Sequence, residues 1–160
     1  MRQLWAPWRS EYVQSAEKDG KCVFCEAADK ESGDQHLLFR GAVSAVMLNK
    51  YPYNPGHLMV SPIRHTARIE ELSPEESLDI FRLVRHSITV LTKVYNPEGY
   101  NIGMNIGKVS GAGIVDHLHM HIVPRWSGDT NFMPVLADVK LISVHIMDAY
   151  SRLKPFFERI

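Results

Sequence analysis

Cysteine is nearly missing from this chain: Cys22 and Cys25 are the only two in 160 residues, too few for the disulfide framework of a small secreted domain. Net charge is missing as well. Eighteen Lys and Arg balance eighteen Asp and Glu, so no global field draws the chain to nucleic acid or to an anionic membrane. No apolar run approaches the ~20 residues that span a bilayer, and no charged-then-apolar leader opens the chain. These absences predict one soluble, cytoplasmic domain over 1–160, long enough to bury its own core. They leave room for a small phosphorylated ligand, which needs only local positive groups.

What the chain does have is histidine in register. His117-Leu118-His119-Met120-His121 places three imidazoles at alternate positions, followed by Ile122-Val123-Pro124-Arg125. The apolar intervening residues and the closing Pro124 predict a β-strand over 116–123. A strand alternates its side chains, so the three rings should share one face with neighbours ~7 Å apart. Imidazole is the side chain that binds metal or moves protons near neutral pH. Three on one face point to a metal site or to phosphorus chemistry rather than to a chance alignment.

Around that strand the order is strands, one long helix, strands, helix. Residues 37–48 suggest two paired strands with a turn at Arg40-Gly41, and Tyr51-Pro52-Tyr53-Asn54-Pro55-Gly56 is a turn by composition. His57 to Pro62 suggests a third strand. Ser73-Pro74-Glu75-Glu76 carries an N-cap, a first-turn proline and first-turn acids, the signature of a helix start. Leu78, Phe81, Val84, Ile88, Leu91 and Val94 follow as a predicted core stripe, until Asn96-Pro97 ends it. Tyr100 to Ile106 predicts a strand, 107–113 a loop, and about Leu141 to Phe157 a last helix. Residues 1–20, with Trp5, Trp8 and Tyr12, suggest an arm or short helix against the body. Segregated elements of this kind indicate an α+β domain with a mainly antiparallel sheet.

Two further segments carry chemistry. Gly107-Lys108-Val109-Ser110-Gly111-Ala112-Gly113 precedes the histidines. Three glycines in seven let backbone N–H groups turn toward an anion, although the loop matches neither common nucleotide fingerprint. Cys22-Val23-Phe24-Cys25 suits zinc, which would need two more ligands from among the histidines. A redox pair or two buried thiols are the alternatives. His57 and His65 lie within reach of a site built on the triad. His36, His86 and His145 belong to no constellation, and Asn49 either holds a hydroxyl-rich ligand or caps a turn.

His117-Leu118-His119-Met120-His121-Ile122-Val123 fits the His-φ-His-φ-His-φ-φ signature of the histidine triad (HIT) nucleotide hydrolases and transferases, φ being apolar. Asn49 to Pro52 and Pro55 to Val60 resemble the ribose-binding strand and turn of that family, and Asn105-Ile106-Gly107 its segment before the phosphate loop. The likeness covers about residues 22–125, with 126–160 as a carboxy-terminal extension. It implies a five-stranded HIT-like sheet with one long helix and a carboxy-terminal helix, in a homodimer.

For mechanism, the resemblance implies that His119 attacks the α-phosphorus and forms a nucleotidyl-histidine intermediate, neutral imidazole being a good nucleophile at pH 7. His121 would contact the phosphate and assist proton delivery, and His57 would complete the polar network. The ribose would lie near Asn49 and the base against Val23, Phe24 and Met47. Asn105, Gly107, Ser110, Gly111 and Gly113, with His119 and His121, would line the phosphate. In zinc-bearing members the metal is held by positions equivalent to Cys22, Cys25, His65 and His117, which gives a closed, structural site.

The chain departs from many members at Gly113 and Ile114, where Gln-Ser or Gln-Thr is common, so backbone groups or Ser110 must serve the leaving group. Leu4 to Arg9 and Pro124 to Phe132 resemble the bacterial branch that splits diadenosine tetraphosphate by phosphorolysis to ADP and ATP, with inorganic phosphate as acceptor. The alternatives are a HIT hydrolase of adenosine phosphoramidates or other AMP conjugates, and a non-catalytic nucleotide-binding module, against which the intact triad argues.

Overall fold

A computed structural model describes residues 22–29, 36–129, 142–158 and 160. The arm bearing Trp5, Trp8 and Tyr12, and Thr130 to Leu141 of the carboxy-terminal extension, lie outside the described residues. The elements are α1 (Val23–Ala28), β1 (Leu37–Arg40), β2 (Ser44–Leu48), β3 (Leu58–Pro62), α2 (Pro74–Tyr95), β4 (Gly99–Met104), β5 (Met120–Arg125) and α3 (Ile146–Phe157). The strands form one antiparallel sheet in the order β1-β2-β3-β5-β4. This is the α+β architecture that the order of elements predicts. Among the described residues, no helix is long and apolar enough to cross a membrane.

The sheet has two differently covered faces, and the difference positions the site. On one face Val46, Leu48, Leu58, Val60, Met120 and Ile122 pack against Ile80, Leu83, Val84 and Leu91 of α2 and Leu153 and Phe157 of α3. Truncating one of these, Ile122→Ala for example, costs about 2–5 kcal/mol in a core of this kind. On the other face a smaller cluster places Phe24 and Ala27 of α1 over Met47 and Met59. Beyond α1 that face is left to the histidines.

The start of α2 is as the sequence indicates. Ser73 Oγ accepts from the Glu76 N–H, and the Glu76 carboxylate accepts from the Ser73 N–H at 2.8 Å, a complete capping box. Its buried face keeps Val84 and Leu91 of the stripe expected from spacing, with Ile88 and Val94 packed against it, but not Leu78 or Phe81. Leu78 is 73% and Phe81 59% exposed, whereas Ile80, Leu83, Ser87 and Val90 are buried. Each residue turns ~100° around the helix, so six residues back from Val84 lies about 120° away. Counting by threes walked off the core.

The histidine strand is also corrected. Strand β5 begins only at Met120 and runs through Pro124 to Arg125, so His117, Leu118 and His119 precede it. The Leu118 N–H donates to the Thr66 carbonyl at 2.6 Å, which holds the chain outside the ladder. Proline is tolerated in β5 because β3 has already ended, at the Leu58–Ile122 pair. On the β3 side no strand asks for its missing N–H, and Asn54 Nδ2 instead donates to the Pro124 carbonyl at 2.8 Å, while β4 pairs Tyr100 with Pro124 on the other side. The strand expected over Tyr100 to Ile106 is β4, one residue earlier and ending at Met104. The last helix starts at Ile146, capped by His145, whose Nδ1 accepts from the Met147 N–H. His86 is a packing residue: its Nε2 donates to the Phe156 carbonyl at 3.1 Å, and its ring meets Phe157 edge-on.

Candidate functional site

Three histidines, His57, His119 and His121, converge at the open face, and their partners fix where each proton sits. A carbonyl can only accept and a backbone N–H can only donate. His119 Nδ1 lies 2.8 Å from the His117 carbonyl, so Nδ1 carries the proton and Nε2 keeps its lone pair. His57 Nδ1 accepts from the Tyr53 N–H at 3.1 Å, so its proton is on Nε2. That N–H points at His121 Nδ1, 3.0 Å away, so His121 accepts there and holds its own proton on Nε2. The outcome is a nucleophilic nitrogen on His119 beside an N–H donor on His121, with the two rings 4.8 Å apart and edge-to-face. The even ~7 Å spacing of an extended strand is not what the chain adopts.

His57 and His119 are buried and His121 is half-buried. Loss of solvent around His119 pushes its pKa below the ordinary histidine value, against the opposing effect of its bond to the His117 carbonyl, so the ring is neutral at pH 7. Phe24 lies against it, with ring centroids 4.7 Å apart. Tyr53 stacks on His57 at 4.9 Å, which fixes that ring from the other side.

The first histidine of the triad turns away to a second cluster. Cys22, Cys25, His65 and His117 offer ligand atoms all within 4.8 Å of one another. Cys22 Sγ is 3.2 Å from His117 Nδ1, and Cys25 Sγ is 3.3 Å from His65 Nδ1. His117 Nε2 donates to the Pro62 carbonyl at 2.9 Å, which leaves Nδ1 unprotonated and aimed at the thiols. Such an outer hydrogen bond is what orients a ligating imidazole. Burial, with Cys22 beside it, pushes the Cys25 thiol up to about 11.

The remaining expected residues are placed as follows. Val23 is exposed at 38%, while Phe24 and Met47 are buried, so Val23 is the open member of the expected base slot. Asn49 Oδ1 accepts from the Tyr51 N–H at 2.9 Å, and its Nδ2 is 3.4 Å from His57 Nδ1; it caps the turn and adjoins the histidines. In the loop, Gly107 and Gly111 have φ of 79° and 86°, which explains glycine at both. Ser110 Oγ donates to the Gly107 carbonyl. Ile114 packs on the Phe24 cluster, which accounts for an apolar residue at that departure. Asn105 and His121 line one cleft.

Sequence reasoning missed the network that braces the far side. Asp129 accepts from Arg125, from Asn54 Nδ2 and from the Trp126 N–H, and the Arg125 guanidinium holds its carboxyl well below the usual range. The Asn54 in the proline turn and the Arg-x-x-x-Asp spacing after the triad were visible, but nothing in one sequence joins positions 75 residues apart.

Paired histidines of fixed tautomer on a five-stranded antiparallel sheet define a class, and comparison with known proteins agrees. A family model for the HIT domain matches residues 30–128, and the chain belongs to the HIT family. It is 35% identical over 156 residues to the AP-4-A phosphorylase of Mycobacterium tuberculosis, across 92% of this chain and 80% of that protein. It is 37% identical over 106 residues to adenosine 5'-monophosphoramidase hnt1 of Schizosaccharomyces pombe, across 65% of this chain and 74% of that one. The fold matches that of a Zn-bound histidine triad family protein from Mycobacterium smegmatis, with a TM-score of 0.68 at 21% identity over 87% of this chain and 94% of the other. These relatives include enzymes named for acting on nucleotides, by phosphorolysis in one case and as a phosphoramidase in the other.

Proposed function

We propose that this single-domain chain transfers a nucleotidyl group from a dinucleoside polyphosphate through His119, with inorganic phosphate as acceptor and diadenosine tetraphosphate as substrate. One observation carries the reading: the His117 carbonyl holds the His119 proton on Nδ1, leaving Nε2 as a neutral nucleophile. In the first step Nε2 bonds to the α-phosphorus as the bond to the leaving phosphate oxygen breaks. The electron pair leaves with that oxygen, as ATP. His121 presents its Nε2–H to the phosphate, and His57 keeps the proton there by donating to Nδ1. Positioning and charge stabilisation are most of what phosphoryl-type transfer needs, and the loop from Gly107 to Gly113 adds backbone donors. In the second step an oxygen of inorganic phosphate attacks the same phosphorus, frees Nε2 and gives ADP. On this reading Asn49 meets the ribose, and Val23, backed by Phe24 and Met47, faces the adenine.

The donor set at Cys22, Cys25, His65 and His117 fits zinc. Tetrahedral bonds of about 2.0–2.3 Å set ligand atoms roughly 3.3–3.8 Å apart; three pairs here stand at 3.2, 3.3 and 3.6 Å, and all four atoms lie within 4.8 Å of one another. Four protein ligands close the site, so the ion would be structural, tying α1 to the residue that orients His119. A cytoplasmic homodimer completes the proposal. Strand β4 is an edge of the sheet, and an unpaired edge is a surface for a second copy.

Product analysis tests the acceptor. Diadenosine tetraphosphate should give ADP and ATP at a rate that rises with added phosphate and saturates. AMP plus ATP, or two ADP, without phosphate dependence would assign a hydrolase instead. The similarity to the phosphoramidase supports that second reading, and adenosine 5'-phosphoramidate with water as acceptor is then the substrate to try.

A further inference from the structure

The peptide between His117 and Leu118 is held at both ends. Its carbonyl accepts the His119 Nδ1 proton at 2.8 Å, and its N–H donates to the Thr66 carbonyl at 2.6 Å. No cis peptide bond occurs among the described residues, so the two groups lie in one plane and point in opposite directions. A continuous line of hydrogen bonds therefore runs from Thr66 through one peptide to the ring of His119. Each bond in such a line polarises the next. Turning the peptide at the Thr66 end would swing the His117 carbonyl off the imidazole at the other.

Thr66 lies past the end of β3 at Pro62 and is buried, and its hydroxyl is used twice. Oγ1 donates to Glu71 Oε2 at 3.0 Å and accepts from the Arg68 N–H at 3.3 Å. The second bond closes a turn on the backbone two residues ahead, which sets the direction of the Thr66 carbonyl inside that turn. Glu71 is anchored in its own right. Arg64 Nη2 donates to its carbonyl at 2.8 Å, and Arg68 Nε lies 3.3 Å from its Oε1. The same Arg64 holds Glu76 in the capping box of α2. The brace thus runs from the start of the long helix to the peptide beside His119.

We propose that Thr66, held by Glu71, is a positioning residue for nucleotidyl transfer: through the Leu118 N–H it keeps the His117 carbonyl on His119 Nδ1 and so keeps the Nε2 lone pair aimed at the phosphorus. This rests on the transfer reading above. Thr66 acts at one remove, since it meets the peptide and the peptide meets the ring. A buried hydroxyl is costly unless it is bonded, and here its two bonds fix the one carbonyl that the Leu118 N–H needs.

Thr66→Val removes the hydroxyl at nearly constant shape, and Thr66→Ser keeps it. On whichever substrate the parent turns over, diadenosine tetraphosphate or adenosine 5'-phosphoramidate, kcat of Thr66→Val should fall about tenfold with KM within about twofold. Thr66→Ser should return to within about threefold of the parent. Glu71→Ala, made at an exposed residue, should lose part of kcat. Combined with Thr66→Val it should lose no more than Thr66→Val alone, because both cut one brace. Nitrogen-15 NMR of the imidazoles should find the His119 proton on Nδ1 in the parent and in Thr66→Ser, and shared between both nitrogens in Thr66→Val. Zinc content and AMP affinity by calorimetry should match the parent. An unchanged kcat in Thr66→Val, a Thr66→Ser no better than it, additive losses, or an equal fall in AMP affinity or zinc content overturns the proposal. A parent that turns over neither substrate fails the transfer reading instead. The NMR comparison then still decides the brace: a His119 proton moved by Thr66→Val upholds it, and an unmoved one overturns it.

Discussion

His57 Nε2 and His121 Nδ1 are 3.0 Å apart across a gap of 64 residues in the chain. The Tyr53 N–H on the other nitrogen of His57 sets the direction of that bond. Because the backbone donor cannot reverse, His57 directs its Nε2 proton at His121; on the proposed reading it orients His121. His57→Phe keeps a ring against Tyr53 and removes the donor. Its kcat should fall roughly 10²-fold, the low end for loss of general acid–base assistance, with KM little changed. An undiminished kcat in a folded variant would remove His57 from the mechanism.

Removing the nucleophile should separate chemistry from binding. His119→Ala should lose at least about 10³-fold in turnover while AMP affinity, measured by calorimetry, changes only a few-fold. Turnover comparable to the parent would exclude His119 as the attacking group.

Metal analysis of the purified protein should find one zinc per chain. Cys22→Ser should lower Tm by at least about 5 °C, because binding energy at a closed site is folding energy. A metal-free protein of equal stability would make the two cysteines ordinary packing residues.

Acid sensitivity should arise in part at Glu76. Arg64 binds both of its carboxylate oxygens, at 3.0 and 2.9 Å, and this hydrogen bonding outweighs burial to hold the carboxyl below its ordinary value of 4.5. A lowered folded-state pKa means stability that is fully present above about 4.5 and lost as pH falls through the lowered value. Glu76→Gln should flatten the acid limb of a Tm-against-pH curve. Parallel acid limbs for parent and variant would show that the pair contributes nothing.

The antiparallel sheet and the helix start at Ser73 were legible because each rests on local pattern. Local chemistry marked only Cys22 and Cys25, and His65 and His117 joined them only through the resemblance to the HIT family. The register of the triad was legible; its conformation was not. An extended strand would have set His117 and His119 side by side, but the Leu118 N–H bonds to Thr66 outside the sheet, and His117 turns toward the cysteines. Pro124 misled for a related reason. Its tolerance depends on where β3 stops, and that is a property of a neighbour 60-odd residues away in the chain. Leu78 and Phe81 show the limit of spacing by itself: apolar residues do mark a helix, but which side is inside depends on what packs there. The Asn54–Asp129 brace had no local signature at all.

One bond joins the two clusters: the carbonyl that fixes the His119 proton belongs to His117, a residue of the metal quartet. Any shift of that peptide is therefore shared between the candidate metal site and the His119 ring. Thermodynamic reciprocity then applies in both directions. If filling the quartet tightens nucleotide binding by some factor, nucleotide must raise the affinity for the ion by that same factor. Chelator resistance would then report on occupancy of a site that contains no metal ligand of its own.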